Sequence, residues 1–390
     1  MAIINRISEF HDDMRAWRRD LHAHPELGFE ERRTAALVAD RLHAFGVDEV
    51  HTGLASTGVV GVLKAGSGSG AIGLRADMDA LPIHEATGRD YASTSAGKMH
   101  ACGHDGHTTM LLGAARYLAE TRNFDGTVYL IFQPAEEMLG GGRTMVEEGL
   151  LERFPAARVF GMHNWPGMPL GQFAMRAGPV MAAADRFIVR LTGRGGHAAM
   201  PHQCRDPLVA AAQIVIALQS IVARNVDPVQ RAVVSVTQVH GGDTFNVIPE
   251  TAMLTGTVRS FLPEVRDLLE RRLREIATGL GAALGVGVEI EYQRGYPPTV
   301  NTEAETELAA LAAAEVAGAD KIDRAREPTM GAEDFAYMLE QRPGSYVFIG
   351  NGGGEDTPML HSPHYDFSDD ALPYGASYWA RLVERALPAR

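Results

Sequence analysis

Apolar positions recur along the chain with the periods of helices and strands. Across residues 3–21 they fall at every third or fourth position, and residues 30–45 repeat this helical period. Strands are predicted at 57–63 and 71–76, joined by a Gly- and Ser-rich loop that we interpret as a flexible hairpin. An almost continuous apolar run at 126–132 is typical of a parallel strand covered on both faces. This alternation predicts an α/β fold whose mostly parallel central sheet is flanked by helices.

The pattern changes between residues 183 and 296. Strands and helices follow one another there in the order β-α-β-β-α-β, at 186–193, 206–224, 231–239, 251–261, 263–284 and 286–293. This is the order of a ferredoxin-like unit. The chain then returns to the earlier alternation, with helices at 302–317, 333–340 and 369–386 and a strand at 345–349. We therefore predict a discontinuous catalytic domain, residues 1–182 and 297–390, with an inserted α+β lid or dimerisation domain, residues 183–296.

Length and charge narrow the class of protein further. At 390 residues the chain exceeds one ordinary hydrophobic core, which agrees with two domains. A net charge of −13 argues against non-specific nucleic-acid binding. No apolar run has the length of a membrane span, and the N-terminal sequence has no signal-peptide core. We therefore expect a cytoplasmic protein that binds neither nucleic acid nor membrane.

Metal-ligand side chains are concentrated in the stretch Met99-His-Ala-Cys-Gly-His-Asp-Gly-His107. Cys102 and His104 are close enough to reach one ion, and a thiolate with an imidazole suits Zn, or Mn, Ni or Fe when carboxylates complete the set. A good helical sequence follows directly, and the dipole at a helix N-terminus is expected to lower the pKa of the thiol. Taken alone, the stretch is better explained by a buried free cysteine.

Further side chains of the same kind follow the predicted strands. Asp77 comes directly after the strand at 71–76, Glu136 and Glu137 follow the run at 126–132, and His163 follows a strand at 157–162. His361 lies in a loop before the last helix. Because open α/β sheets place their sites at the carboxyl ends of the strands, we expect these side chains to meet there.

Together these groups suit two divalent cations that share a ligand. Five protein ligands are more than one structural zinc uses, and Cys102 is the candidate for the shared one. Glu136 then fits a general base that takes a proton from a bound water and returns it to the leaving amine. Asp77 is expected to orient a ligand imidazole. The predicted ligands are Cys102, His104, Glu137, His163 and His361.

Two other interpretations remain open at this point. A thiol hydrolase would use Cys102 as nucleophile and His104 or His107 as base, but it leaves the paired glutamates unexplained. A catalytically inactive, metal-bound dimer that acts as a binding protein would need no base, so the presence of Glu136 beside Glu137 speaks against it.

A resemblance to a known family covers almost the whole chain. It rests on Leu21-His-Ala-His-Pro-Glu-Leu-Gly28, Arg75-Ala-Asp-Met-Asp79, His100-Ala-Cys-Gly-His-Asp-Gly-His107, Gln133-Pro-Ala-Glu-Glu137, Met162-His-Asn164, Gly193-Arg-Gly-Gly-His-Ala-Ala-Met-Pro-His202, Gly331-Ala-Glu-Asp-Phe335 and His361-Ser-Pro-His364. These motifs resemble the two-domain, metal-dependent aminoacylase/carboxypeptidase family. The subfamily is that of hippurate hydrolases, N-acyl-amino-acid amidohydrolases and auxin-conjugate hydrolases.

The resemblance implies a metal-dependent amidohydrolase acting on acetyl- or benzoyl-type N-acyl amino acids, or a di- or carboxypeptidase of the same fold. It implies two divalent ions per subunit (Mn, Zn, Ni or Co) on the five ligands above, with Glu136 as the base. It also implies that His197 reaches the active site of a partner subunit and stabilises the oxyanion. Asn246 and Arg259 are candidates for holding the substrate carboxylate. The exposed sheet edge of the inserted domain is expected to form a homodimer, or a tetramer.

Overall fold

A computed structural model describes residues 3–137 and 139–389, which form both helices and strands. The helices are α1 (Asn5–Glu9), α2 (His11–Ala23), α3 (Arg32–Ala44), α4 (His104–Thr121), α5 (Gly141–Glu147), α6 (Leu150–Arg153), α7 (Pro207–Asn225), α8 (Pro263–Leu284), α9 (Glu303–Ala317), α10 (Ala336–Gln341) and α11 (Leu372–Ala386). The strands are β1 (Glu49–Leu54), β2 (Gly58–Ala65), β3 (Ala71–Asp77), β4 (Gly126–Gln133), β5 (Arg158–Trp165), β6 (Phe173–Ala174), β7 (Gly178–Met181), β8 (Ala183–Thr192), β9 (Gly196–His197), β10 (Ala232–His240), β11 (Val247–Ile248), β12 (Thr251–Ser260), β13 (Gly287–Arg294), β14 (Thr299–Asn301), β15 (Ile322–Asp323) and β16 (Gly344–Gly350).

These elements form two compact units. The first contains residues up to Val180, then Val300–Glu327 and Asp334–Arg390, and the second contains Met181–Thr299 and Pro328–Glu333. The short segment 328–333 carries no periodic pattern that would assign it to the second unit. The predicted domain boundaries at 182/183 and 296/297 remain a proposal about independent folding, which limited proteolysis would test.

An eight-stranded mixed sheet forms the centre of the first unit. Its order is β1-β2-β4-β3-β5-β16-β6-β15, and the four central strands β4, β3, β5 and β16 are mutually parallel. These strands are almost entirely buried, in keeping with their apolar sequences. The prediction of an α/β fold with a mostly parallel central sheet is confirmed. The predicted hairpin is wrong, because β4 lies between β2 and β3 and pairs with both.

Parallel pairing brings the carboxyl ends of the central strands to one edge of this sheet. Asp77, the last residue of β3, is in register with Gln133, the last residue of β4. Helix α4 begins beside them at His104, after Gly103 in a left-handed conformation (φ 87°). A Cβ at Gly103 would lie 2.3 Å from Asn164 Nδ2 and 2.5 Å from the hydroxyl of Tyr365. Only glycine therefore fits where the loop enters α4.

The second unit is an antiparallel sheet with two helices. Its strand order is β10-β12-β8-β13, and each neighbouring pair is antiparallel. Helices α7 and α8 pack on it through a separate apolar core that includes Phe187, Ile214, Leu218, Leu269 and Leu273. With chain order β8-α7-β10-β12-α8-β13, this is the predicted ferredoxin-like arrangement.

Helix α7 is unusual for its apolar composition. By length and composition it could cross a membrane, but its face with Ile214 and Leu218 is packed in the core of the second unit. Its opposite face leaves Val209 50% and Ile216 67% exposed to solvent. The helix therefore has one buried and one exposed apolar face in the folded unit.

Candidate metal centre

The five predicted ligands lie together at the edge of the first unit's sheet where the parallel strands end. Cys102 precedes α4 and His104 is its first residue, Glu137 follows β4, and His163 lies near the end of β5. His361 comes from the loop after β16, and its backbone N–H donates to the carbonyl of Ala101 (2.8 Å). Segments far apart in sequence thus bring their donor atoms to one place.

The donor atoms form two overlapping sets that have Cys102 in common. In one set the donor atoms of Cys102, His104 and His163 all lie within 4.8 Å of one another, and in the other those of Cys102, Glu137 and His361 do. Cys102 Sγ is 3.3 Å from His163 Nε2, and His361 Nε2 is 3.2 Å from Glu137 Oε1. One shared sulfur and two pairs of separate ligands match the donor set that two neighbouring divalent cations require.

Two buried donor atoms leave room for a cation in this group. Within the described residues, His104 Nε2 forms no hydrogen bond, and Glu137 Oε1 has His361 Nε2 at 3.2 Å but no well-formed hydrogen bond. Burial of a polar atom without a partner is unfavourable, and a ligated cation satisfies such atoms. The other ring nitrogen of His104 is engaged elsewhere, since Nδ1 is 3.2 Å from Asp79 Oδ1.

Hydrogen bonds also select the ring nitrogen that each buried histidine presents. His163 Nδ1 donates to the carbonyl of Asn164 (2.7 Å), so Nε2, the atom near Cys102, keeps its lone pair. His104 is held in the same way when Nδ1 donates to Asp79. Burial, together with His107, lowers the pKa of His163 well below its usual value, which keeps the ring in the neutral form that binds metals.

Asp77 and Asp79 have different roles in this arrangement. Asp77 accepts from His107 Nδ1 (2.6 Å) and from Arg75 (2.8 Å), and it is 3.7 Å from His104 Nε2. The carboxylate that accepts from His104 Nδ1 is Asp79 and not Asp77, which was expected to orient a ligand imidazole. The available signal was the spacing Asp77-Met-Asp79 at a strand end, which presents two carboxylates with one residue between them.

His107 is excluded from the donor set by its own contacts. Asp77, His104 and His107 also form a group that could hold a cation. However, His107 Nε2 accepts from the backbone N–H of Asn164 (2.9 Å), and Nδ1 is bonded to Asp77. Both ring nitrogens are therefore occupied, and His107 supports the site by fixing Asp77.

The electrostatics at Cys102 differ from the expectation based on the helix dipole. Burial raises the pKa of the thiol well above its usual value, and the carboxylates of Glu137, Glu136 and Asp77 raise it further. The expected lowering of this pKa is wrong for the protein alone, because burial and, after it, the nearby negative charge both disfavour the thiolate. A cysteine nucleophile requires a thiolate at neutral pH, so this environment disfavours the thiol-hydrolase interpretation.

Glu136 lies beside this donor set, 7% exposed, and Pro134 and Ala135 separate it from the end of β4. One of its carboxylate oxygens lies within 4.8 Å of donor atoms of both His104 and Glu137. The residue before it, Ala135, has a left-handed backbone (φ 55°), which is uncommon for a residue with a Cβ. This turn separates β4 from the two glutamates.

The remaining predicted residues belong to the second unit. His197 is exposed on β9, and β9 pairs with β11 so that Asn246 comes close: the backbone N–H of Ala198 donates to the carbonyl of Asn246 (3.0 Å). Arg259 is half-buried on β12, where Nη1 donates to Thr257 Oγ1 (2.7 Å). His197 and Asn246 are thus neighbours on one small two-stranded ribbon.

The central mixed sheet is flanked by helices and has two overlapping donor sets and a further glutamate at the carboxyl ends of its parallel strands. This architecture defines a metal-dependent hydrolase of the binuclear class. The chain belongs to the peptidase family M20/M25/M40, whose model matches residues 73–385. The hippurate hydrolase of Campylobacter jejuni is 42% identical over 387 residues, which are 99% of this chain and 100% of that protein. The N-acetyl-L-cysteine deacetylase of Bacillus subtilis is 44% identical over 371 residues, 95% of this chain and 87% of that protein.

A solved structure agrees with this assignment. A Bacillus subtilis protein described as a dinuclear metal-binding peptidase of the M20 family is similar with a TM-score of 0.84 at 36% identity. The similarity covers 96% of this chain and 98% of that one. The family predicted from the motifs is confirmed, as is the prediction that the protein is an enzyme.

Proposed function

We propose that this protein is a metal-dependent amidohydrolase that cleaves the amide bond of N-acyl amino acids, releasing a carboxylate and a free amino acid. The observation that carries this proposal is the pair of donor sets that share Cys102, with Glu136 beside them. It is supported by relatives that are named for the hydrolysis of hippurate and the deacetylation of N-acetyl-L-cysteine.

In the proposed mechanism Glu136 carries the proton. Two divalent cations, when bound by Cys102, His104, Glu137, His163 and His361, would polarise the amide carbonyl and lower the pKa of a water. Glu136 takes a proton from that water as its oxygen attacks the carbonyl carbon. Glu136 then gives the proton to the amide nitrogen, and the C–N bond breaks to release the amino acid.

Residues of the second unit are proposed to bind the substrate. We propose that Asn246 and Arg259 hold the α-carboxylate of the amino acid, since amide and guanidinium groups donate the hydrogen bonds a carboxylate accepts. His197 is proposed to stabilise the oxyanion in the active site of the partner subunit. Mixing Glu136→Gln protein with His197→Ala protein tests this role, because a mixed dimer regains one complete site. Absence of activity despite proven subunit exchange would contradict it.

The proposed assembly is a homodimer formed through the second unit. Strand β10 lies at one end of its sheet order and so presents an edge, which can pair with another copy. The exposed apolar face of α7, with Val209 and Ile216, would be covered in the same contact. Sedimentation of a Val209→Lys/Ile216→Lys double variant tests the contact, and a dimer of unchanged stability would place it elsewhere.

The function is tested by hydrolysis assays on protein stripped of metal. Acetyl-, benzoyl- and indole-acetyl-amino acids and short peptides are offered after addition of Mn, Zn, Ni or Co in turn. Metal-dependent release of a free amino acid from the acyl substrates is the expected result. Hydrolysis of peptides alone would instead identify a di- or carboxypeptidase, and no turnover with any metal would indicate a binding protein.

A further inference from the structure

Two buried carboxylates hold the backbone on either side of Glu136. The N–H of Ala135 donates to Glu31 Oε1 (2.8 Å), and the N–H of Glu137 donates to Asp79 Oδ2 (2.9 Å). Asp79 follows β3, whereas Glu31 comes from the start of α3, almost fifty residues earlier. The glutamate pair is thus fixed through its main chain by side chains from two other parts of the first unit.

Ala135 is the residue of this segment whose backbone conformation depends on support from its surroundings. Its left-handed backbone is a sparsely populated conformation for alanine and persists only where the surroundings impose it. Its carbonyl accepts from the N–H of Gly141 (2.9 Å), and a Cβ added at Gly28 would lie 3.0 Å from Ala135 Cα. The Glu31 carboxyl therefore completes a close-fitting enclosure around a single strained residue.

Glu31 itself occupies an environment that is unfavourable for a carboxylate. It is fully buried, it forms no ion pair within the described residues, and Thr57 Oγ1 donates to its second oxygen (2.6 Å). Burial raises the pKa of Glu31 to about 7. Burial of an apolar side chain at this position would cost less free energy than burial of a carboxyl group. The contribution of the carboxyl group is therefore the acceptor that it provides for the Ala135 N–H.

We propose that Glu31 is a positioning residue for the reaction: it fixes the left-handed turn at Ala135 and thereby sets the direction of Glu136 and Glu137. This inference rests on the proposed role of Glu136 as the base. Glu31 acts through the backbone and touches neither the substrate nor the donor atoms. Its removal leaves the Ala135 N–H buried without an acceptor and allows the turn to relax, which displaces both glutamates.

Three variants separate this role from a purely structural one. Glu31→Gln keeps an oxygen for the Ala135 N–H, and its amide can donate to Thr57, so kcat should stay near the wild-type value. Glu31→Asp keeps the charge but withdraws the carboxylate by one methylene, and kcat should fall about 10- to 100-fold at unchanged KM. Thr57→Val removes only the hydroxyl partner and is the matched control, with kcat near that of wild type.

Two measurements do not depend on turnover. In metal-free protein, hydrogen exchange at the Ala135 amide should accelerate in Glu31→Asp and remain slow in Glu31→Gln and Thr57→Val. Affinity for Mn²⁺, measured by chelator competition, should weaken in Glu31→Asp because Glu137 is displaced. If the wild type hydrolyses no acyl amino acid, the proposed function fails, and these two measurements still decide whether Glu31 holds the turn.

Three results would overturn the proposal. The first is wild-type kcat in Glu31→Asp together with a protected Ala135 amide. The second is a loss of kcat in Glu31→Gln as large as that in Glu31→Asp, which would show that an acceptor for the Ala135 N–H does not preserve the reaction. The third is a loss in Thr57→Val as large as that in Glu31→Asp, which would make the Glu31–Thr57 pair a matter of stability alone.

Discussion

Asp79→Asn changes one atom at the residue that links the His104 ring to the glutamate segment. Asp79 uses Oδ1 for His104 Nδ1 (3.2 Å) and Oδ2 for the N–H of Glu137 (2.9 Å). An asparagine oxygen can keep the second bond, but its NH₂ group then faces His104 Nδ1. That donor favours the tautomer with the proton on Nε2, the nitrogen that the donor set requires to be unprotonated.

The expected result is a metal affinity about 10- to 100-fold weaker, the usual effect of losing a partner that orients a ligand, or about 1.4–2.8 kcal/mol. Competition with a chromophoric chelator measures the affinity, and kcat at saturating metal should recover toward the wild-type value. Glu85→Gln is the matched control, because Glu85 also bonds a buried histidine, His22, but lies outside both donor sets. Equal affinity in Asp79→Asn and wild type would refute the role of this hydrogen bond.

Three further predictions follow from the site and its surroundings. Glu136→Gln should lower turnover by about two to four orders of magnitude with unchanged metal content, whereas Glu137→Gln should lower the metal content. Elemental analysis combined with kinetics separates the two variants. Near-native turnover in Glu136→Gln would exclude Glu136 as the base. Cys102 should resist iodoacetamide in metal-loaded protein and react with it in stripped protein, at a rate that rises with pH. Mass spectrometry measures the modification. Equal modification of Cys102 in both forms would remove this residue from the ligand set. Burial alone would lower the pKa of His22, but hydrogen bonds to Asp105 and Glu85 raise this pKa to about 9. The protonated His22 ring therefore contributes roughly 3 kcal/mol to the free energy of unfolding. This contribution is complete below pH 6.5 and is lost as the pH rises through 9. Denaturant unfolding of metal-free wild type and His22→Asn should show a difference in unfolding free energy that shrinks over that range, and a constant difference would contradict the assignment.

The predictable part of the site is the part that depends on where strands end. Asp77, Glu136 and His163 each follow an apolar run, and parallel strands bring their carboxyl ends together whatever the details of packing. Cys102 and His104 were identifiable because the helix after them is strongly marked in the sequence. The order of strands was less accessible: β2 and β3 are adjacent in the chain, yet β4 lies between them, because pairing is decided by packing over long sequence separations.

What the sequence could not provide is the direction of individual side chains and the balance of charge around them. Two aspartates one residue apart give no indication which will reach His104, since that depends on how β3 ends against α4. The pKa of Cys102 likewise depends on how deeply the folded chain buries the thiol, and on three carboxylates that come from other segments. Glu31 lies in an ordinary charged sequence, Glu30-Glu-Arg-Arg33, and only the folded structure shows it buried against Ala135.

The pairing of β5 with β16 has a consequence for the time at which the protein becomes functional during its synthesis. Roughly 180 residues, including all of the ferredoxin-like sheet, are translated between these two strands, which takes about 10–40 s at 5–20 residues per second. Through that interval β5 is present without its partner on one side, and the donor sets lack His361. The ferredoxin-like sheet has all its strands by residue 294, so it can form while the central sheet still waits for its last parallel strand. A ribosome stalled before residue 344 would therefore carry a chain with one finished sheet and one open strand edge, the species on which a chaperone would act.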